Sequence, residues 1–147
     1  MTRDRIQLVA HCLLNPHTRL KGLHPPAFEP EGAIIQLPCP EALLLGLDRW
    51  AVTREQLDHP AFRRLSQELI GPAADLAEML AGRGARVVVV GVAGSPSCAI
   101  FSTTAGYEGG LPRTAEHRRI QGRGIFMEEL AQQLEERGVP VEWMEVG

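Results

Sequence analysis

The chain has 147 residues, which suits a single core, so we expect one domain over residues 1–147. A net charge of −3 gives no basic footprint for duplex nucleic acid. The start of the sequence lacks the long apolar run and small-residue cleavage site of a signal peptide, and no stretch is long enough to span a bilayer. We therefore expect a cytoplasmic protein without a membrane partner, with its cysteines reduced; nothing in the sequence indicates an oligomeric state.

The first part of the chain contains two short apolar runs separated by a loop. Residues 6–10 and 33–37 are apolar at successive positions, which predicts strands buried on both faces, as in a parallel sheet. Between them, residues 14–32 are rich in proline, histidine and glycine. This composition predicts a loop with one helical turn.

The middle of the chain has helical patterns. Residues 40–47 favour a short helix, and Thr53 followed by Gln56 resembles a capping box. Apolar residues recur at helical spacing over residues 60–81, and Gly71-Pro72 is expected to kink or split that helix.

The last part of the chain completes an alternation of strands and helices. Residues 87–92 are the clearest strand, residues 125–137 predict a helix and residues 139–146 a final strand. Residues 94–110 are rich in Gly, Ser, Thr and Pro, which predicts a long functional loop. The alternation predicts a three-layer, Rossmann-like α/β fold with a mainly parallel sheet.

Each of the three cysteines, Cys12, Cys39 and Cys98, directly follows one of the strand-like runs. Sites in open parallel sheets form beyond the carboxyl ends of the strands, so the three thiols are expected to converge. Thiolates are the natural ligands of iron–sulfur clusters. Three of them would hold a cubane cluster and leave its fourth iron open to a substrate. The other interpretation is that each cysteine is a small buried hydrophobe.

Polar residues beside the cysteines suggest further chemistry. Ser95 and Ser97 precede Cys98 in a Gly-Ser-Pro-Ser-Cys turn, whose hydroxyls and free backbone amides would stabilise anionic sulfur. The same serines are also ordinary turn residues. Glu41, two residues after Cys39, is a candidate for proton transfer, or a carboxylate that favours the first turn of a helix.

Together these motifs resemble those of the thiouracil desulfidase (TudS) family of small bacterial iron–sulfur proteins. The similarity covers nearly the whole chain, and the motifs stand in the family's order: Cys12-Leu13-Leu14, Arg19 with Gly22, Cys39-Pro40-Glu41, Ser95-Pro96-Ser97-Cys98, Tyr107-Glu108-Gly109 and Gly122-Arg123-Gly124.

The resemblance implies that the three cysteines hold a 4Fe-4S cluster with one open iron. That iron would take sulfur from a thiolated nucleobase or related small thio-compound by a non-redox, hydrolytic route, assisted by Glu41 and the pair Ser95 and Ser97. Asn15, Arg19 and Tyr107, at or beside the motifs, are then expected to bind substrate. The chain departs from the family pattern at Asn15, Leu20-Lys21 and Ala99, which indicates a divergent subgroup with an altered pocket.

Three alternatives remain open at the sequence level. One is a zinc site that combines His17 or His24 with the cysteines. The second is a hydrolase with Cys98 as nucleophile, for which the sequence indicates no histidine partner. The third is a metal- or cluster-binding scaffold or sensor protein.

The remaining features concern the substrate. Four arginines near the glycine-rich loop are either a solvated surface or a contact for the phosphate of a thiolated nucleotide or tRNA: Arg113, Arg118, Arg119 and Arg123. Trp50, Phe101 and Tyr107 are candidates for stacking on a base. Gly91 and Gly94 fail the dinucleotide-binding pattern and are expected to let the backbone approach a bound group.

Overall fold

The computed structural model describes residues 4–24 and 26–147. The three N-terminal residues, and Pro25 in the predicted first loop, lie outside the described residues. In chain order the elements are β1 (Arg5–Val9), α1 (His11–Leu14), β2 (Ala33–Gln36), α2 (Pro40–Leu45), α3 (Arg54–Leu57), α4 (Pro60–Ala81), β3 (Arg86–Val92), β4 (Ser102–Ala105), β5 (Arg118–Gln121), α5 (Ile125–Glu136) and β6 (Val141–Val146).

The centre of the fold is a four-stranded parallel sheet with the strand order β2-β1-β3-β6. Val9 at the end of β1 pairs with Gln36 of β2 on one side and with Val90 of β3 on the other. Helices pack on this sheet, so the predicted three-layer α/β class is confirmed. None of the described helices is long and apolar enough to cross a membrane.

The two central strands are buried, and the edge strand β2 is not. Nearly every residue of β1 and β3 is buried, as their runs of Val, Ile and Leu predict. In β2, by contrast, only Ile35 is partly buried and its neighbours are exposed. The expectation that β2 is buried on both faces is therefore wrong, because β2 has a partner strand on one side only and lies at the sheet edge.

Helix α4 runs without a break from Pro60 to Ala81, so Gly71-Pro72 does not split it, and a kink at this point stays a prediction. Proline removes the hydrogen bond to the carbonyl four residues earlier, here that of Glu68. Both Pro72 and Glu68 are exposed, so water is available to that carbonyl. The buried alanines of the same helix, Ala73, Ala74 and Ala77, let α4 pack closely against the sheet and α5.

The predicted long loop over residues 94–110 contains a strand that the sequence interpretation missed. β4 pairs antiparallel with β5, with Ser102 opposite Gln121 and Ala105 opposite Arg118. The two strands form a two-stranded sheet of their own. Their Ser, Thr and Arg residues lack an apolar alternation, and no short turn joins them, so neither usual hairpin signal is present. The first predicted loop does contain one helical turn, a 3-10 turn over Pro16–Thr18.

The strand order places a site at the end of the main sheet where the parallel strands have their carboxyl ends. From β1 the chain continues to β2 on one side and then crosses to β3 on the other. Ligands of open α/β sheets bind at such a reversal, beyond the carboxyl ends of the strands. The segments that follow β1, β2 and β3 meet at this end, and each carries one of the cysteines.

Candidate functional site

A cavity of about 360 Å³ lies beyond the carboxyl ends of β1, β2 and β3. All three cysteines line it, so we call it the thiol cavity. Its polar walls also include His11, Arg19, Glu41, Arg49, Ser95, Ser97, Thr104, His117 and Arg119. The structure thus brings together Cys12, Cys39 and Cys98, the residues that the sequence predicts as ligands, although their role as ligands stays a prediction.

Local structure holds each thiol at the cavity in a different way. Cys12 lies in the single turn α1 that follows β1. Cys39 is the N-cap residue of α2, and its carbonyl accepts the amide of Leu43 at 3.2 Å. Cys98 is buried in the loop between β3 and β4, residues 93–101, which we call the Cys98 loop.

Two glycines fit closely against the Cys98 loop. A Cβ atom on Gly91 would lie 2.3 Å from the carbonyl oxygen of Cys98, and one on Gly124 would lie 2.3 Å from the carbonyl carbon of Ser97. A side chain at either position would therefore displace the backbone that carries the thiol. Gly91 admits the Cys98 loop rather than a bound group. Gly94 lines the cavity, with the Arg119 guanidinium in the space where its Cβ would lie, so its approach to a bound group stays a prediction.

The amides of Gly94, Ser95, Ser97 and Cys98 are bonded within the protein. Ser97 and Cys98 both donate their N–H groups to the hydroxyl oxygen of Ser95, at 3.3 and 2.9 Å. The backbone amide of Ser95 donates to the carbonyl of Val92, and the backbone amide of Gly94 donates to the carbonyl of Ser102. The expectation of free amides that stabilise anionic sulfur is therefore wrong, because the Ser95 side chain folds the turn onto itself.

Glu41 is buried within a polar chain that links two sides of the thiol cavity. Its Oε2 accepts Nε of Arg49 at 3.1 Å, and its Oε1 accepts the Ser97 hydroxyl at 2.8 Å. Arg49 is 7% exposed and also donates to the carbonyls of Thr18 and Gly46. Glu41 also stands in the first turn of α2, where its negative charge is favourable with the helix dipole. This placement is compatible with the predicted role of Glu41 in proton transfer.

Ser97 stands between the carboxylate and a thiol. Its Oγ lies 3.6 Å from Sγ of Cys98 and 3.3 Å from Oγ of Ser95. Because Ser95 Oγ accepts two amides, it is free to donate its own proton to Ser97, which in turn donates to Glu41. The hydroxyls of Ser95 and Ser97 and the carboxylate therefore form one directed hydrogen-bond chain.

The protein by itself disfavours thiolates in this cavity. Burial raises the pKa of Cys12, although the Arg19 guanidinium opposes the rise. Burial likewise raises the pKa of Cys39, against the effect of the Ala42 amide. The pKa of Cys98 is raised furthest, first by burial and then by the charges of Cys39 and Cys12.

These shifts argue against the cysteine-nucleophile hydrolase. A nucleophilic cysteine needs a lowered pKa. Burial instead raises the pKa of Cys98 well above its ordinary value. The zinc alternative has no support either: His17 and His24 are exposed, and no three His, Cys, Asp or Glu side chains of residues 4–24 and 26–147 lie close enough to hold one metal ion.

Of the three residues predicted to bind substrate, the structure places one on the cavity wall. Arg19 lines the cavity, with Nη1 3.9 Å from Sγ of Cys12. Asn15 does not; its Oδ1 accepts the amide of His17 and begins the 3-10 turn. Tyr107 does not either, and its hydroxyl donates to the carbonyl of Gly110 at 2.7 Å. The substrate-binding roles of all three residues stay predictions.

The aromatic candidates and the departures from the family pattern lie mostly away from the cavity. Trp50 and Phe101 are exposed and line no part of it. Among the residues that depart from the family pattern, Leu20 lines the cavity, whereas Lys21 and Ala99 do not.

Sequence interpretation missed Arg49, His117 and His11. An extended segment would turn the side chain of His11 away from Cys12. Residue 11 is helical instead, so both residues line the cavity and His11 donates to the carbonyl of Leu37. No motif around Arg49 in the sequence indicates its role, because Arg49 contacts Glu41 only in the folded chain. His117 reaches the cavity through the 3-10 turn that precedes β5, which was not predicted.

The four clustered arginines divide into different environments. Arg119 lines the cavity and makes no ion pair with any other described residue. Arg123 lies over the ring of Trp143 at 4.5 Å, Arg113 pairs with Glu116, and Arg118 is exposed. Only Arg119 is therefore placed to contact a molecule in the thiol cavity.

Comparison with known proteins agrees with the resemblance seen in the motifs. The chain is 28% identical to a protein of Methanocaldococcus jannaschii described as "Uncharacterized protein MJ0003", over 99% of this chain and 87% of the relative. No solved structure matches the chain. Residues 5–119, well over half of the chain, match the model of the family described as "Putative 2-thiouracil desulfurase". The chain therefore belongs to this family, whose name denotes enzymes that remove sulfur.

Proposed function

We propose that the protein is a desulfidase that replaces the sulfur of a thiolated nucleobase, or of a related small thio-compound, with oxygen from water. The observation that carries the proposal is the thiol cavity itself, which three thiols and the Glu41–Ser97 pair line together. A cavity of about 360 Å³ suits a small heterocycle. A scaffold protein would need an exposed partner surface instead of such a cavity.

The three cysteines would hold a 4Fe-4S cluster. The donors are of the type that such a cluster requires, and a cubane distributes its ligands over several irons, so the thiols need not meet at one ion. Burial and the charges of Cys39 and Cys12 are the largest influences on the pKa of Cys98, and all three disfavour its thiolate. Bound iron would supply a countercharge to that thiolate. When present, the open iron would act as a Lewis acid toward the thiocarbonyl sulfur.

The protein's own residues would handle the proton of the attacking water. Glu41 is held by Arg49 and accepts the Ser97 hydroxyl. Ser97 stands between Glu41 and Cys98, so its oxygen can hold a water and pass the proton to the carboxylate. Ser95 would affect this proton transfer only through its hydrogen bond to the Ser97 hydroxyl. Overall, a thiocarbonyl and water yield a carbonyl, hydrosulfide and a proton, and no electron is transferred.

The arginines on the wall favour a substrate with an anionic group. Arg19 and Arg119 both line the cavity, whereas the acidic Glu41 is already neutralised by Arg49. Arg119 would therefore contact a phosphate or another anion attached to the thiolated base. We expect Arg119→Ala to raise KM for a thiolated nucleotide about tenfold, the effect of one lost charged hydrogen bond, and to leave the free base unaffected. Arg118→Ala, at the exposed neighbouring position, is the control.

The test begins with anaerobic reconstitution, which should yield about four iron and four sulfide per chain, as in the cubane cluster. The reconstituted protein is then screened for sulfide release from 2-thiouracil, 4-thiouracil and thiolated nucleosides and nucleotides. Glu41→Gln and Ser97→Ala should each lower kcat about 100-fold, the range of general acid–base contributions. Full iron loading of Cys39→Ser would contradict the cluster, and wild-type turnover by Glu41→Gln would remove Glu41 from its role.

A further inference from the structure

Glu145, near the end of β6, binds the backbone of the Cys98 loop. Its Oε2 accepts the amides of Ile100, Phe101 and Ser102 at 2.8, 2.6 and 3.2 Å. Its Oε1 lies 3.2 Å from the Ser102 hydroxyl, which donates to it. One carboxylate thus satisfies three successive amides that begin two residues after Cys98.

The position of Glu145 is set by the register of the sheet. Glu145 of β6 is paired with Gly91 of β3. Gly91 has no side chain, and the space where its Cβ would lie is filled by the Cys98 carbonyl and the Ile100 side chain. The loop therefore crosses the end of β3 beside Glu145, within reach of its carboxylate.

The other side of this backbone is held by different elements. The carbonyl of Cys98 accepts the amide of Val92 at 2.8 Å, and the carbonyl of Ala99 accepts the amide of Gly124 at 2.9 Å. The carbonyls are thus fixed by β3 and by the start of α5, and the amides are fixed by Glu145. Without the carboxylate the three amides would lose their shared partner, and the cost is largest at Ile100, which is 4% exposed.

We propose that Glu145 is a positioning residue for Cys98, which keeps this thiol fixed at the cavity wall. The inference rests on the proposed function in that Cys98 is taken as a cluster ligand. Glu145 lies outside the matched family segment, which ends at residue 119. The last strand of the chain therefore contributes to the site as well as to the sheet.

The test measures the alkylation rate of each cysteine by mass spectrometry in the full-length, cluster-free chain under anaerobic conditions. Glu145→Ala should speed alkylation of Cys98 about tenfold or more through local opening of the loop, and leave Cys12 and Cys39 within about twofold of wild type. Glu145→Gln retains one carbonyl oxygen for the amides and should restore slow alkylation. Glu142→Ala is the matched control, since Glu142 lies on the same strand and pairs with the exposed Arg86.

Hydrogen exchange gives a second measurement of local opening, with the amides elsewhere in the sheet as the internal reference. The amides of residues 100–102 should be protected in wild type and in Glu145→Gln and lose protection in Glu145→Ala. An unchanged alkylation rate of Cys98 in Glu145→Ala would overturn the proposal, and so would parallel acceleration at all three cysteines, which indicates general destabilisation. Neither measurement involves substrate or iron, so failure of desulfurisation would leave this result standing.

Discussion

At the scale of single residues, the buried ion pair between Arg49 and Glu41 fixes the position of the Glu41 carboxylate at the site. Arg49 Nε and Glu41 Oε2 lie 3.1 Å apart, with both side chains almost inaccessible to solvent. Arg49→Met leaves the carboxylate buried without a countercharge, which should lower the free energy of unfolding by about 3–5 kcal/mol. Urea denaturation of the cluster-free chain measures the loss.

The matched comparison is the double variant Glu41→Gln with Arg49→Met. Removal of both charges should cost less than the sum of the two single substitutions, because neither partner is then left as an unpaired charge. Additive losses would show that the two side chains do not depend on each other, and would remove Arg49 from its role of holding Glu41.

At the scale of elements, the close fit of α5 against the Cys98 loop explains the second glycine of the Gly-Arg-Gly motif. A Cβ at Gly124 would lie within 3 Å of three backbone atoms of Ser97 and Cys98. We expect Gly124→Ala to destabilise the protein by about 1–3 kcal/mol, the usual range for overpacking at a tight contact. Thermal unfolding followed by circular dichroism measures the change.

Gly71→Ala in α4 is the natural control. Nothing lies within 4 Å of a Cβ built at Gly71, and the residue is helical. The substitution should therefore stabilise the protein by up to about 1 kcal/mol, the difference in helix propensity between the two residues. Equal effects at residues 71 and 124 would indicate a general response to glycine replacement rather than a contact with the Cys98 loop.

Glu55 joins α3 to the segment that follows β4 and should make the stability depend on pH. Burial raises its pKa, but hydrogen bonds from Thr53 and from the amides of Tyr107 and Gly106 outweigh that effect and lower the pKa overall. A lowered pKa in the folded state means that Glu55 stabilises the fold above its ordinary pKa and loses this effect as pH falls. The difference in unfolding free energy between wild type and Glu55→Gln should therefore shrink between about pH 6 and pH 3.

Glu108→Gln serves as the control for this titration. Glu108 is exposed, and its carboxylate accepts no hydrogen bond within the part of the chain that the structure describes. Loss of this exposed charge should leave the free energy of unfolding at neutral pH within about 0.5 kcal/mol of wild type. A constant difference between wild type and Glu55→Gln across the same pH range would contradict the role of Glu55.

The elements also show what the sequence could predict and what it could not. β1 and β3 were predicted from their apolar runs, because burial on both faces leaves a local pattern. β4 and β5 were missed, because their stability comes from pairing with each other and from hydroxyl contacts such as that of Thr103 with the Ser95 carbonyl. Contacts between distant segments leave no local periodicity.

At the scale of the whole molecule, the same distinction applies to the site. Convergence of the three cysteine segments followed from one rule, that parallel strands end at a common edge. The groups that hold those segments in place, Arg49 for Glu41 and Glu145 for the Cys98 loop, are polar side chains in loops or on an edge strand. Their partners are fixed only when the chain is folded, so residue type and spacing did not reveal them.

The architecture also predicts that cofactor binding and stability are linked. The three thiols lie on segments that follow three different strands, so one cluster bound to all of them would tie these segments together. A group that binds only the folded state raises its stability. We expect the anaerobically reconstituted chain to melt at least about 2–4 °C above the cluster-free chain, the shift that corresponds to about 1 kcal/mol in a domain of about this size.

The Cys39→Ser variant separates this linkage from a general effect of iron and sulfide. The substitution is nearly isosteric and removes one ligand, so reconstitution should leave its melting temperature close to that of its own cluster-free form. Glu142→Ala, with its change on the exposed side of β6, should show the full wild-type shift. An equal shift in Cys39→Ser and wild type would mean that Cys39 does not hold the cluster. No shift in wild type despite bound iron would mean that the bound iron does not tie the three segments together.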